Sequence, residues 1–371
     1  MADTDSKLDR LKAFLEQDAN NLGLLRDCAA AALAEGDPVE AAGFYVRIDA
    51  IEPLAGAEAN IAGITAMRAG DQKRAQNWFD TAATDDPEDL AVQFNIAWSK
   101  ALEKDFASSS KLLTPDLIAT LPQAAMLDLQ IAHELGQFDK AERKLDEYLE
   151  MHPSYGPLQA AASVLAMDVD RPDLARKSAE AAGDHPDALV TLGTLDLGER
   201  KFADARDQFK EALATRPFNP RAQIGLGLID LAEGNPRGAA KQLDKGAEQF
   251  GDHLGSWIAA GWAHLLAGDI GQAQKRFEAA LAHDDNFGEA QGSLAVVELL
   301  QGATDAARRR LEVARRLDAA SFSTALGAML LEQQEGDPAK AEQIFRIAAK
   351  QPILPDGSTL MDELVKSLVK N

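Results

Sequence analysis

Six histidines, His133, His152, His185, His253, His264 and His283, and a single cysteine, Cys28, are the side chains best suited to acid–base, metal or nucleophilic chemistry. Their spacing gives that chemistry little to work with. A zinc helix needs His-Glu-x-x-His, so that two imidazoles share one face. A phosphate loop needs Gly-x-x-x-x-Gly-Lys, so that backbone N–H groups can cradle an anion, and a nucleophile elbow needs Gly-x-Ser-x-Gly. None of these strings occurs. His133 is followed by Glu134, but no further ligand lies one turn away, and Cys28 falls in a packing slot beside Ala29, where a thiol is inert. The expectation is no catalytic residue, no metal and no cofactor.

Other chemistry is limited by charge. The chain has 60 acidic and 38 basic residues, a net charge of −22, which repels phosphate backbones and anionic lipid surfaces. One stretch opposes the trend. "ARRRLEVARR" carries Arg308, Arg309, Arg310, Arg315 and Arg316, and a spacing of seven keeps Arg308 with Arg315, and Arg309 with Arg316, on one side of a helix. It reads either as a solvated outer face or as a convex site for an anionic partner. One cysteine excludes an internal disulfide and fits a reducing compartment. No apolar run approaches the roughly eighteen residues of a membrane span, and the start "ADTDSK" lacks a leader pattern, so a cytoplasmic protein is expected.

What positions these residues is an internal repeat. Aligning "DPVEAAGFY", "DQKRAQNWF", "QFDKAERKL", "KFADARDQF", "DIGQAQKRF" and "DPAKAEQIF" gives a register of small residues. It runs Ala41, Ala75, Ser109, Ala141, Ala175, Ala205, Ala239, Ala273, Ala307 and Ala341, with steps of 34, 34, 32, 34, 30, 34, 34, 34 and 34. Four residues later comes a large apolar group in every unit except that of Ala179: Tyr45, Phe79, Leu113, Leu145, Phe209, Leu243, Phe277, Leu311 and Phe345. Twelve residues before the anchor is a mostly small residue, such as Gly63, Ala97, Gly193, Gly227 or Gly261, with Leu129 and Met329 as departures. Small residues let two antiparallel helices approach, and the aromatic one turn later fills the space between hairpins. Glycines at 36, 70, 136, 234, 268, 302 and 336 fall where the first helix must end in a left-handed residue, and Pro53, Pro87, Pro153 and Pro217 stop the second.

This pattern resembles the tetratricopeptide repeat, a 34-residue helix-turn-helix unit. The resemblance implies an all-α, right-handed α-solenoid of about ten units over residues 22–352, with irregular units near 105–122 and 168–186. Residues 1–21, with Leu8, Leu11, Phe14 and Leu15 at helical spacing, read as an N-terminal capping helix. Residues 353–371, with Leu360, Leu364 and Leu368, read as a C-terminal one.

In such an array the first helices line the concave side. Trp257 and Trp262 point roughly 140° apart on one helix, so if Trp257 is core, Trp262 faces that side. The inward slots read through the ten units are mostly apolar, and Arg26 is their one firm charge. Phe94, Trp98, Met126, Val190, Ile224, Leu228, Ile258, Trp262 and Val296 are thereby expected to line a partner groove. The alternative is that the inner side chains cover one another. Family members that hold acidic chaperone tails share a lysine, asparagine and arginine clamp on three successive units. Here Arg26, Asn60, Asn95 and Arg221 are scattered, and no such clamp assembles. A helical or extended apolar segment suits the slots better. The resulting expectation is a non-catalytic scaffold, adaptor or assembly chaperone that binds a protein or peptide, without nucleic acid or membrane insertion. A peptide-sensing regulator and a self-assembling structural scaffold are the alternatives.

Overall fold

The computed structural model describes residues 6–348. Among the described residues every regular element is a helix, and the chain divides between Gly183 and Asp184 into two compact units. The first contains α1 (Lys7–Leu15), α2 (Leu22–Ala34), α3 (Pro38–Ile51), α4 (Gly56–Arg68), α5 (Gln72–Asp85), α6 (Leu90–Leu102), α7 (Phe106–Leu112), α8 (Pro115–Thr120), α9 (Pro122–Glu134), α10 (Phe138–Met151), α11 (Gly156–Asp168) and α12 (Pro172–Ala182). The second contains α13 (Pro186–Gly198), α14 (Phe202–Thr215), α15 (Pro220–Ala232), α16 (Pro236–Phe250), α17 (Leu254–Leu266), α18 (Ile270–His283), α19 (Gly288–Leu300), α20 (Thr304–Leu317), α21 (Phe322–Gln334) and α22 (Pro338–Ala348). From α2 onward these form ten antiparallel hairpins, five in each unit. The proposed C-terminal capping helix lies outside the described residues.

Within a hairpin the packing follows the small and large residues of the register. The Phe79 ring lies on Gly63, where an added Cβ would be only 2.5 Å away, and Phe277 is seated on Gly261 in the same way. Phe209 lies on Gly193 of its own hairpin and also against Gly225 of the next. All three rings are fully buried, each contributing about 1.5–3 kcal/mol of hydrophobic stabilisation. An alanine at Gly225 would collide with the ring, so the glycine is a requirement of the stack.

Each first helix ends on a left-handed residue five positions before the anchor. Seven of these are the expected glycines, and the other three are Lys104 (φ 62), Asp170 (φ 56) and Arg200 (φ 61). The tight turn is therefore imposed by the hairpin even where the sequence supplies a residue with a Cβ, at a cost of about 1 kcal/mol each.

The two irregular stretches have local causes. In the third hairpin the anchor is Ser109, whose hydroxyl would be an orphan in the core but donates to the Ala97 carbonyl oxygen at 2.6 Å. The second helix then stops at Leu112, and α8 restarts with Pro115 in its first turn and Thr114 as its cap. In the fifth, α12 runs only eleven residues and ends at Gly183, with φ 62. At the N-terminus, α1 is capped reciprocally by Ser6 and Asp9. It buries Leu8 and Leu15 in the cluster that holds Leu25 and Cys28.

Candidate partner-binding surfaces

In the first unit, Trp98 projects from α6 one turn after Phe94. The rings are 5.9 Å apart and tilted by 37°, and Trp98 is 42% exposed. The preceding hairpin continues the face with Asn60 and Ile64 on α4, at the equivalent positions 34 residues earlier. Ile61 beside them is also exposed. Met126, the counterpart of Phe94 on α9, is half-buried.

The polar groups on this face are engaged with one another. Arg26 donates to both oxygens of Glu58, from Nε at 2.6 Å and Nη2 at 2.9 Å, with Glu52 at 3.6 Å. Those carboxylates hold the guanidinium pKa above its usual range. The Asn95 amide donates to Asn60 Oδ1 at 2.9 Å, tying α4 to α6. His133 Nε2 lies 2.8 Å from Asp168 on α11. Arg26, Asn60 and Asn95 are thus engaged in internal pairs, while Arg221, on α15 of the second unit, is exposed. Clefts of about 270, 370 and 400 Å³ open elsewhere in this unit, and Trp98 lines none of them.

In the second unit the same register gives a different surface. Trp257 is buried, as expected, with its indole N–H donating to the Gly251 carbonyl at 2.7 Å. Trp262 is half-buried: its ring lies 5.7 Å from Phe277 and 6.1 Å from Phe322, a residue 45% exposed in the hairpin two further on. Val190, Ile258 and Val296 (2% exposed) are inside the packing, a correction to their expected place on an open groove. Val190 packs with Leu189, Phe209 and Leu226, and Ile258 with Trp257, Phe277 and Leu294, whereas Val296 lies at the close crossing of α19 and α21. Gly292 has no side chain, and a Cβ there would be 2.6 Å from the backbone nitrogen of Thr324. Gly327 faces Leu311 and Val296 at the same crossing. With α21 drawn onto α19, Phe322 reaches Trp262. Ile224 is half-buried, and Leu228, 37% exposed, remains at the surface.

Several groups with chemical potential sit within the packing or in internal bonds. Cys28 is fully buried, and burial pushes its thiol pKa up. Sequence reasoning missed a buried carboxylate, Asp128 on α9, which accepts from Lys144 Nζ at 2.6 Å and Tyr148 Oη at 2.7 Å on α10. Burial first, and then this bond, raise the Tyr148 phenol. No periodic signal marks Asp128, because an acid at that position does not recur. His264 Nε2 sits 2.9 Å from Asp244, which also takes both arms of Arg276, at 2.7 and 3.0 Å. Among the described residues no group of three histidine, cysteine or acidic side chains could hold a metal ion. No described helix is long and apolar enough to cross a membrane.

The arginine stretch lies on α20. Arg308 binds Asp305 and Glu335, and Arg310 binds Glu298 and Gln291. Arg316 donates to its own helix at the Glu312 carbonyl. Arg309 and Arg315 are exposed, with no ion pair among the described residues.

Comparison with known proteins agrees with this architecture. The tetratricopeptide-repeat family model matches residues 190–253 and 258–321. The chloroplastic PsbB mRNA maturation factor Mbb1 of Chlamydomonas reinhardtii is 32% identical over 94 residues. That match spans 24% of this chain and only 14% of that protein. Among solved structures, a monomeric mutant of IFIT1 with Gppp-AAAA has a TM-score of 0.54 at 14% identity, covering 93% of this chain and 95% of that one. PilF of Pseudomonas aeruginosa has a TM-score of 0.47 at 17% identity, covering 55% and 94%. At 14% identity the likeness to IFIT1 is one of fold.

Proposed function

Because this chain is a tetratricopeptide-repeat protein, we propose that it is a non-catalytic scaffold or assembly factor that holds an apolar helical or extended segment of a protein partner against the first-helix face of α4, α6 and α9. The observation that carries this reading is Trp98: a large indole 42% exposed, set on Phe94, with Ile61 and Ile64 continuing the surface. A tryptophan offers about 150–250 Å² for burial, and contiguous apolar surface of this kind marks interaction sites. The neighbouring polar groups support the same choice, since Arg26, Asn60 and Asn95 are spent on internal bonds and offer an acidic tail no free clamp. On this reading Phe94, Trp98 and Met126 are the contact residues, while Ile224 and Leu228 belong to a smaller patch in the second unit.

RNA is a poor second ligand for this face. The name of the relative Mbb1 speaks of mRNA maturation, but the match spans 14% of that protein, and a net charge of −22 opposes a phosphate backbone. The single buried cysteine suits action in the cytoplasm.

The test is affinity capture from the native host with the wild-type chain and with Trp98→Ser, alongside thermal melts of both. Aromatic anchors at interfaces cost at least about 2 kcal/mol when truncated, roughly thirtyfold in affinity. The expected result is loss of the principal captured protein with little change in melting. An unchanged capture profile would remove Trp98 from the binding site.

A further inference from the structure

Of the four tryptophans, Trp78 and Trp257 are buried, Trp262 is half-buried and Trp98 alone is exposed. The two buried rings share a feature. The Arg74 guanidinium lies 5.9 Å from the centre of the Trp78 ring, and that of Arg276 lies 5.8 Å from the centre of the Trp257 ring. An indole attracts a cation to its electron-rich face more strongly than the other aromatic side chains do. Trp98 has Phe94 as its ring contact, and among the described residues no cation of the chain lies over it.

Its surroundings are acidic. Residues 1–183, the first unit, carry 32 acidic and 17 basic side chains, a net charge of −15. On the unit's first helices, Arg26 is held between Glu58 and Glu52, Asp128 is buried against Lys144, and Lys100 is 3.7 Å from Glu103. What remains is unequal. Three exposed carboxylates, Asp27 on α2, Glu134 on α9 and Asp168 on α11, stand against one exposed guanidinium, Arg68 on α4.

We propose that the segment held on the Trp98 face is basic, with an arginine stacked on the indole, apolar side chains over Phe94, Ile61 and Ile64, and further cations toward Glu134 and Asp168. The inference rests on that face being the binding site. Charge decides between occupants. A glutamate-rich segment would bring its carboxylates up to Glu134 and Asp168, with Arg68 as the one exposed cation of these helices to receive them. Arginine suits the indole better than lysine, because its planar, weakly hydrated guanidinium stacks on a ring.

The test uses three synthetic peptides with one leucine pattern and arginine, glutamine or glutamate at the other positions, each titrated against the full chain by fluorescence anisotropy. The arginine peptide is expected to bind tightest. Its affinity should fall at least about tenfold in Trp98→Ser and in Trp98→Leu, which keeps apolar area but removes the ring, and should recover most of that loss in Trp98→Phe. Glu134→Gln/Asp168→Asn and added salt should each weaken it further. Thermal melts report whether each variant keeps its fold. Equal binding of the arginine peptide to wild type and to Trp98→Ser makes the attraction a general effect of net charge and overturns the proposal. A glutamine or glutamate peptide that binds as tightly as the arginine peptide also overturns it. If the tighter peptide still depends on Trp98, the face stands as a binding site and the cation is removed from it; if no peptide and no captured host protein depends on Trp98, both are removed.

Discussion

Trp98 and Trp262 hold equivalent positions in their repeats, second-slot residues of a first helix, yet one is exposed and the other half-buried. Trp98 has Phe94 on its own helix as its aromatic neighbour and keeps 42% of its surface exposed. Trp262 lies against Phe277 and against Phe322 from two hairpins on. The difference does not come from the tryptophans or from their register. It comes from the α19–α21 crossing, where Gly292 and Gly327 let a following first helix come in close enough to bring Phe322 over the indole. Repeat position says which way a side chain points, and the spacing between successive first helices decides whether it meets solvent.

The sharpest way to break this comparison is to truncate both indoles. Trp262→Ala removes a packed ring and should lower unfolding free energy by about 3 kcal/mol, while Trp98→Ala should cost less than about 1 kcal/mol. Equal losses in chemical denaturation would erase the distinction. Next in size is Gly292→Ala. The added methyl collides with the α21 backbone at Thr324, so the crossing must open, at a cost of about 1–3 kcal/mol. In a Trp98→Phe background the same change should make indole fluorescence more accessible to acrylamide. Unchanged quenching would mean that the crossing does not cover Trp262.

Much of the array was legible in the sequence, because a hairpin's needs are local. The step of 34, the pairing of Gly63 with Phe79 and of Gly261 with Phe277, and the ending of first helices on Gly36 or Gly268 all follow from contacts within one hairpin or its neighbour. Glycine marked only seven of the ten left-handed positions, since a folded hairpin can force the conformation on Lys104, Asp170 and Arg200. Lys104→Gly, at the end of the helix that carries Trp98, should therefore raise stability by roughly 0.5–1 kcal/mol. A loss of stability there would show that the lysine side chain contributes more than its strained backbone costs.

The smallest effect is a pH dependence at the crossing itself. Glu289, at the start of α19, has its carboxyl pKa raised by burial, with hydrogen bonds from Ser323 acting in the opposite direction. A carboxyl whose pKa is higher folded than unfolded binds its proton more tightly in the fold. Its favourable contribution is present below the ordinary carboxylate value and is lost as pH rises through the raised one. Glu289→Gln should accordingly gain stability relative to wild type at neutral pH, and the gain should vanish below about pH 4.5, the ordinary value for this group. A gain that persists in acid would remove ionisation as its cause.

The candidate surface divides along the same line. Sequence alone determined that Trp98, Trp262 and Val296 share one slot of their first helices and that Ile258 falls one turn before that slot, because helical periodicity fixes direction from one residue to the next. It also determined that Arg308 shares a side of α20 with Arg315, and Arg309 with Arg316. Only the tertiary structure decided that Val190, Ile258 and Val296 are packed, that Asn60 and Asn95 satisfy each other, and that Asp128 is buried against Lys144 and Tyr148. Each of those outcomes depends on groups brought together from other helices, 16 to 35 positions away for the polar pairs and two hairpins away for Phe322 over Trp262. For Phe322 and Trp262 that distance is set by the absence of a side chain at Gly292 and Gly327, and a periodic pattern records the presence of residues in a slot, not how near the next helix comes when the slot is empty.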